Sequence, residues 1–149
     1  MATIHIGNRQ KNQEIDLTKT ERIASRILDA LECPEAELSV VVLDDAGIQE
    51  LNRDYLGRDR PTNVISFPML EGEESGIVPG LLGDVVISAD TAARDAEEAG
   101  STFEREFVFL LIHGILHLVG FNHEGVDDAE IARMEAKEDE LFALVVGEL

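Results

Sequence analysis

The chain has little cysteine, no tryptophan and few basic residues. Its 149 residues include one cysteine, Cys33, so no internal disulfide can form. Basic residues number 12 against 31 acidic ones, and the formal net charge is −19. Taken alone, such a field disfavours a polyanionic partner. Because the Debye length at physiological salt is about 8 Å, a local cationic patch with a bound metal can still attract phosphate while the distant surface stays acidic.

Long apolar runs are also absent. The longest covers residues 107–119, is interrupted by two histidines and is too short to span a bilayer. Residues 1–6 show no basic region followed by an apolar run, so no signal peptide is expected. The composition, 44% hydrophobic and 29% charged, is typical of a globular protein. We expect a cytoplasmic protein that forms one domain over residues 1–149 and has no membrane partner.

Histidine is scarce but concentrated in one stretch. Three of the four histidines, His113, His117 and His123, fall within eleven residues. His113 and His117 are four positions apart and would stack on one face of a helix. Gly120 can end that helix in a left-handed conformation, which would turn His123 back toward the pair. Three imidazoles with a fourth position open for water form a catalytic zinc site, so the spacing predicts one metal ion per chain, with Zn²⁺ as the expected ion.

The histidine spacing matches that of the metzincin proteases except at one position. Those proteases carry a glutamate directly after the first histidine as general base. Here that position is Gly114. The motif therefore indicates a metal-bound water but argues against ordinary proteolysis.

Hydrophobic periodicity predicts strands that alternate with helices. Strands are expected at residues 2–6, 38–43, 62–67 and 82–88. Helix starts are expected at a capping box from Thr18, at Asp44 or Asp45, at Ser88 or Asp90, at a second capping box from Ser101, and at residue 127 for a last helix to residue 146. The pattern predicts an α+β fold: a small mixed sheet of about four strands, about five helices, and a central buried helix that bears the histidines.

Two further regions lie between the second and fourth predicted strands. Tyr55 is at helical spacing from Ile48 and is interpreted as a core residue, whereas residues 68–80 are rich in Pro, Gly and Glu and are predicted to form a long loop. Arg53, Arg58 and Arg60 fall within eight positions. In so acidic a chain, this cluster fits either an anion site or a solvated surface.

Three segments resemble those of a known family. Residues 113–123, His-Gly-Ile-Leu-His-Leu-Val-Gly-Phe-Asn-His, resemble the signature H-G-x-L-H-L-x-G-Y-D-H of the YbeY family of bacterial endoribonucleases. Residues 60–68 are similar to that family's P-T-[DN]-V-L-S-F segment, and residues 82–87 to its L-G-D-[IL]-x-I strand. The segments lie in the family's usual order, so the resemblance covers nearly the whole chain.

The resemblance implies an endoribonuclease that is specific for single-stranded RNA. Its expected roles are rRNA maturation, including the 3′ end of 16S rRNA, and ribosome quality control, with single-stranded RNA, rRNA and the small ribosomal subunit as partners and no DNA partner. It implies a metal, normally zinc, on His113, His117 and His123. It also implies a groove between the histidine helix and the sheet, with a basic residue beside the metal.

The chain departs from the family pattern at two positions. Asn122 replaces the usual aspartate, which bears on the support of the metal ligands. Leu56 stands where family members often carry a functional arginine after the tyrosine. We predict that Arg58, helped by Arg60, takes over the contact with phosphate, because its side chain is long enough to cover a shift of two residues.

Two other functions fit the histidine motif. One is a zinc hydrolase of another ester or amide, and the other is a ribosome-assembly binding module with a structural zinc. Structural zinc normally has four protein ligands, and Cys33 is distant in sequence, which favours the open, catalytic arrangement. For RNA, the metal could polarise a phosphoryl oxygen, or its hydroxide could attack phosphorus or deprotonate the 2′-OH. Glu124 and Asp127 are interpreted as surface or helix-terminus charges.

Overall fold

The computed structural model describes residues 2–68, 81–121 and 127–149. Within them lie four strands: β1 (Thr3–Asn8), β2 (Glu37–Leu43), β3 (Val64–Pro68) and β4 (Leu81–Ser88). They also contain five α-helices: α1 (Leu17–Ala30), α2 (Asp45–Leu56), α3 (Ala89–Glu98), α4 (Phe103–Leu118) and α5 (Asp128–Val145). A short 3₁₀ turn, Val146–Glu148, follows α5.

The four strands form one mixed sheet in the order β1-β2-β4-β3. Strands β1, β2 and β4 are parallel, and β3 runs antiparallel to β4 at one edge of the sheet. The predicted α+β fold with about four strands and five helices is confirmed.

Helix α4 occupies the centre of the hydrophobic core. It contacts β3 and β4 on the sheet as well as α1, α3 and α5. Nine of its sixteen residues are buried, which explains its almost uninterrupted apolar sequence: Phe107, Val108, Leu110, Leu111, Ile112, Gly114, Ile115, Leu116 and Leu118. The predicted central, buried histidine helix is therefore present.

The face of the sheet opposite to α4 is only partly covered. Helix α2 packs there through a small cluster of Ile48, Ile65 and Val86. Further along this face the side chains are polar, and His5 Nε2 lies 2.8 Å from Glu37 Oε2. His5 is thus a strand residue on the sheet, as its sequence position predicts.

Two predicted helix starts are displaced toward other capping residues. Helix α1 is capped by Asp16, which accepts a hydrogen bond from the Lys19 backbone N–H, rather than by Thr18. Helix α4 is capped by Thr102 rather than Ser101. Asp, Ser and Thr cap helices comparably well, so adjacent candidates cannot be separated by sequence alone. The caps by Asp44 and Ser88 are confirmed.

The prediction that Tyr55 is a core residue is wrong, since 69% of the residue is exposed. Ile48 and Asn52 on the same face of α2 are buried. Tyr55 is in the last turn of the helix, where its ring makes a T-shaped contact with the ring of Phe67 on the edge strand β3. The predicted loop lies outside the described residues except for Pro68, which ends β3. Among the described helices, none has the length and apolarity needed to cross a membrane.

Helix α4 lies unusually close to the sheet at Gly114. A Cβ atom at this position would lie 2.5 Å from Val85 Cγ1 and 3.3 Å from Ser66 Oγ. The Ser66 hydroxyl donates a hydrogen bond to the Gly114 carbonyl oxygen at 3.1 Å. The glutamate that metzincins carry at this position has no room here unless the helix moves away from β4.

We predict that Gly114→Ala destabilises the fold by about 1–3 kcal/mol, because the added methyl group forces Val85 or the helix to shift. In an unconstrained helix the same change would stabilise by up to about 1 kcal/mol. Urea unfolding followed by circular dichroism measures the difference. Gly147→Ala is the matched control, since a Cβ there meets no atom within 4 Å. Equal stability of the two variants would contradict the close contact.

Candidate metal centre and its groove

His113 and His117 bring their imidazoles together on successive turns of α4. Their Nε2 atoms are 3.1 Å apart, and their ring centroids are 4.7 Å apart. Two imidazole nitrogens on one tetrahedral zinc, each at 2.0–2.1 Å from it, would be separated by about 3.3 Å. The separation of the two nitrogens therefore fits a shared metal ion.

Helix α5 supports this pair with a buried carboxylate. Glu138 is 6% exposed, and its Oε2 lies 2.9 Å from His113 Nδ1. A carboxylate oxygen accepts a hydrogen bond from an imidazole N–H, and the tautomer of His113 with its hydrogen on Nδ1 leaves the Nε2 lone pair to face a metal. Histidines that bind metals commonly donate their second ring N–H to a carboxylate in this way.

Glu138 was not among the site residues predicted from the sequence. A signal was nevertheless present, because Glu138 lies at helical spacing among the inward-facing residues Met134, Leu141 and Val145. A carboxylate on an apolar helix face is rarely buried without a partner. Its partner is His113.

The end of α4 takes the conformation that the sequence predicts. Gly120 has a positive φ of 107° and follows the C-cap residue Val119. The Phe121 backbone N–H bonds the Leu116 carbonyl oxygen at 2.9 Å, which satisfies one of the last helical carbonyls. The third predicted ligand, His123, lies outside the described residues, as do Asn122 and Glu124. Within residues 2–68, 81–121 and 127–149, no group of three His, Cys, Asp or Glu side chains is arranged to hold a metal.

The histidine pair opens into a groove of about 1030 Å³ between α4, β3 and the loop after α2. Arg58 and Arg60 line the same groove, together with Leu56. Arg53, the third member of the basic cluster, pairs instead with Asp54 at 3.0 Å. The cluster thus divides into two groove residues and one surface residue. Cys33 also lines the groove, although it is distant in sequence from the histidines.

Buried Asn52 holds the arginine loop against α2. Only 2% of Asn52 is exposed, and its side-chain amide donates to the Arg60 carbonyl oxygen at 2.9 Å. The backbone carbonyl oxygen of Asn52 accepts a hydrogen bond from the Arg58 backbone N–H at 3.1 Å. Gly57 makes this turn possible with a φ of 71°. The backbone of both groove arginines is therefore fixed, while their side chains remain exposed.

Comparison with known proteins agrees with this architecture. Residues 5–145 match the model of a family described as Endoribonuclease YbeY. The chain is 61% identical over 145 residues to the Endoribonuclease YbeY of Syntrophotalea carbinolica, covering 97% of each. It is 54% identical to that of Geobacter metallireducens, again over 97% of each. A Thermotoga maritima protein of known solution structure superposes with a TM-score of 0.68 at 29% identity, over 99% of this chain and 91% of that one.

The fold and the groove define a small α+β protein with a histidine-based centre beside basic side chains. The chain belongs to the endoribonuclease YbeY family. The family resemblance of the sequence and the predicted class, a hydrolase of phosphodiester bonds in RNA, are thereby confirmed.

We predict that Asn52→Ala loosens the arginine loop, because the Arg60 carbonyl oxygen loses its donor. The loss should lower the free energy of unfolding by about 1–3 kcal/mol. It should also speed trypsin cleavage after Arg58, measured by mass spectrometry of a limited digest. Asn12→Ala is the control, since Asn12 makes a single side-chain bond at the surface, to Asp90. A digest in which Asn52→Ala behaves like Asn12→Ala would show that Asn52 does not fix the loop.

Proposed function

We propose that this protein is a metal-dependent endoribonuclease that cleaves single-stranded RNA in the cytoplasm. Its proposed roles are rRNA maturation, including the 3′ end of 16S rRNA, and ribosome quality control, with the small ribosomal subunit as partner. One observation carries the proposal: the His113–His117 pair and the two arginines line the same groove. A groove that joins a metal-binding pair to exposed guanidinium groups suits a phosphodiester substrate.

The proposed metal ligands are His113, His117 and His123, and the proposed ion is one Zn²⁺ per chain. When bound, the ion would polarise a phosphoryl oxygen of the substrate or lower the pKa of a bound water. Glu138 orients the ring of His113 and keeps its Nδ1 proton in place, so that Nε2 is available as a ligand. The glycine after His113 leaves no general base at the peptidase position, which favours RNA over peptide as the substrate.

Arg58 and Arg60 are proposed to hold the substrate phosphate. A chain of net charge −19 repels RNA at long range, so local cations must provide the attraction. A guanidinium group can bind two phosphate oxygens at once and can balance charge that develops during cleavage. Leu56 lines the same groove but offers no charge, which leaves this role to Arg58 with help from Arg60.

Cleavage assays test the activity directly. We expect purified, zinc-loaded protein to cleave a single-stranded RNA but not its duplex or the DNA of the same sequence. Gel analysis of end-labelled oligonucleotides measures this, with a chelator as the control for metal dependence. Cleavage of a simple ester or of a peptide under the same conditions, without cleavage of RNA, would overturn the proposal.

We predict that the purified protein binds about one zinc ion per chain and that His117→Ala loses it, because the two remaining proposed ligands would form only a weak pair. Glu138→Gln should weaken zinc binding about 10- to 100-fold, since the support of His113 loses its charge. Competition with a chromophoric chelator measures both. His5→Ala is the matched control, because His5 is 60% exposed and pairs with Glu37 on the sheet. Full zinc occupancy in His117→Ala would refute the site.

We predict that Arg58→Ala weakens single-stranded RNA binding and flattens the salt dependence of log K by about 0.7, the value for one lost phosphate contact. Arg60→Ala should have a similar or smaller effect. Filter binding across a salt series measures both. Arg133→Ala removes the same charge from α5, where Arg133 lies 4.0 Å from Glu130, and should leave the slope unchanged.

The variant Leu56→Arg completes this series. If both alanine variants bind and cleave like the unmodified protein, the phosphate contact comes from other residues. If Leu56→Arg alone raises cleavage strongly, the chain is a weakened nuclease, and a role in binding the ribosome gains support.

A further inference from the structure

Tyr55 and Leu56 expose adjacent apolar side chains beside the groove. Tyr55 is 69% exposed and Leu56 is 49% exposed. In the described part of the chain two other large apolar residues are exposed, Leu17 (45%) on α1 and Leu144 (40%) on α5. Tyr55 and Leu56 are adjacent in the chain, so their exposed apolar surface is contiguous, which single exposed residues elsewhere do not provide.

The ring of Tyr55 is held in a fixed position at the edge of the sheet. It contacts Phe67 with the ring centroids 5.7 Å apart and the planes inclined by 71°. Phe67 is half-buried in β3 and packs against the cluster of Ile48, Ile65 and Val86. The two rings therefore meet edge to face, and 69% of Tyr55 stays exposed to solvent.

The aromatic pair of Tyr55 and Phe67 is adjacent to the groove, because chain neighbours of both residues line it. Leu56, the residue after Tyr55, lines the groove. Ser66 and Pro68, which flank Phe67 in β3, line it as well. Because side chains alternate along a strand, Phe67 points to the face opposite Ser66, which bonds α4. The aromatic pair therefore lies at the edge strand β3, on the face of the sheet opposite to α4 and its histidines.

We propose that Tyr55 is a stacking subsite for an unpaired nucleobase of the RNA substrate. The inference rests on the proposed function, because it assumes that the groove holds RNA. Aromatic side chains bind bases of any sequence through their ring faces. Only unpaired nucleotides can turn a base out to such a ring, so the subsite contributes to single-strand preference.

The charges around the Tyr55 ring favour different positions for the phosphates and for the base of the substrate. Arg58 and Arg60 in the groove attract the phosphates. The open sheet face beyond Phe67 carries Glu37 and Asp84, which repel them. The sugar–phosphate chain thus stays in the groove, and the neutral base reaches the edge of the sheet.

If Tyr55 only covered Phe67, substitutions at this position would affect RNA binding differently. If the side chain only shields Phe67 from water, leucine can replace it with little effect on RNA. A stacking role requires an aromatic ring, which phenylalanine and tryptophan supply and leucine does not.

The experiment compares Tyr55→Phe, Tyr55→Leu and Tyr55→Trp in the full chain loaded with zinc. Binding of a short single-stranded oligoribonucleotide is measured by fluorescence anisotropy. We expect Tyr55→Phe to retain its affinity and Tyr55→Leu to bind about tenfold more weakly, the loss expected for one base stack. Leu144→Ala, which removes an exposed leucine from α5, should bind normally.

A second readout reports contact with the ring itself. The sequence has no tryptophan, so emission from Tyr55→Trp comes from this one position. We expect single-stranded RNA to quench it, and an oligonucleotide of the same length without bases to leave it unchanged. This readout decides the question even if Tyr55→Leu fails to fold, which circular dichroism would show.

The outcomes separate this subsite from the proposed function. If the unmodified protein binds and cleaves single-stranded RNA while Tyr55→Leu matches Tyr55→Phe and Tyr55→Trp is not quenched, the stacking subsite is wrong and the proposed function stands. If the unmodified protein neither binds nor cleaves RNA, the proposed function is wrong, and the subsite with it.

Discussion

The close approach of α4 to the sheet at Gly114 is the constraint on which the site depends. Val85 would collide with any larger side chain at this position, and Ser66 bonds the Gly114 carbonyl oxygen. The contact fixes the height of the helix above β3 and β4. His113, the preceding residue, is thereby set at the border between the core and the groove. One glycine thus determines both the packing of the central helix and the place of its imidazoles.

A second constraint comes from α5, which buries a carboxylate in an otherwise apolar contact with α4. Removing a charge from water costs several kcal/mol unless it is paired and hydrogen-bonded. The bond between Glu138 and His113 offsets part of this cost. A leucine at residue 138 would pack as well as its neighbours but would leave His113 without support. At residue 138 a carboxylate that orients the His113 ring replaces an apolar side chain that would pack in the core. Such local exceptions to core packing are common at functional sites.

The fold and the neighbouring positions of His113 and His117 in the candidate site could be predicted from the sequence, because both depend on local periodicity. His113 and His117 share a helix face whatever surrounds the helix, and Gly120 permits a positive φ by its own chemistry. Contacts between elements were beyond such reasoning. Glu138 meets His113 only because α5 docks on α4, and Tyr55 is exposed only because the last turn of α2 lies at the edge strand.

The sheet order has a consequence for how activity arises during folding. In the order β1-β2-β4-β3, the neighbours β2 and β4 are separated in sequence by α2 and β3. Their pairing closes a long loop, an arrangement that slows folding. The groove needs β3 beside β4 and α4 against both, and the support of His113 needs α5 against α4. A partly folded chain therefore has no assembled site, so a molecule that loses its structure also loses any ability to cut RNA.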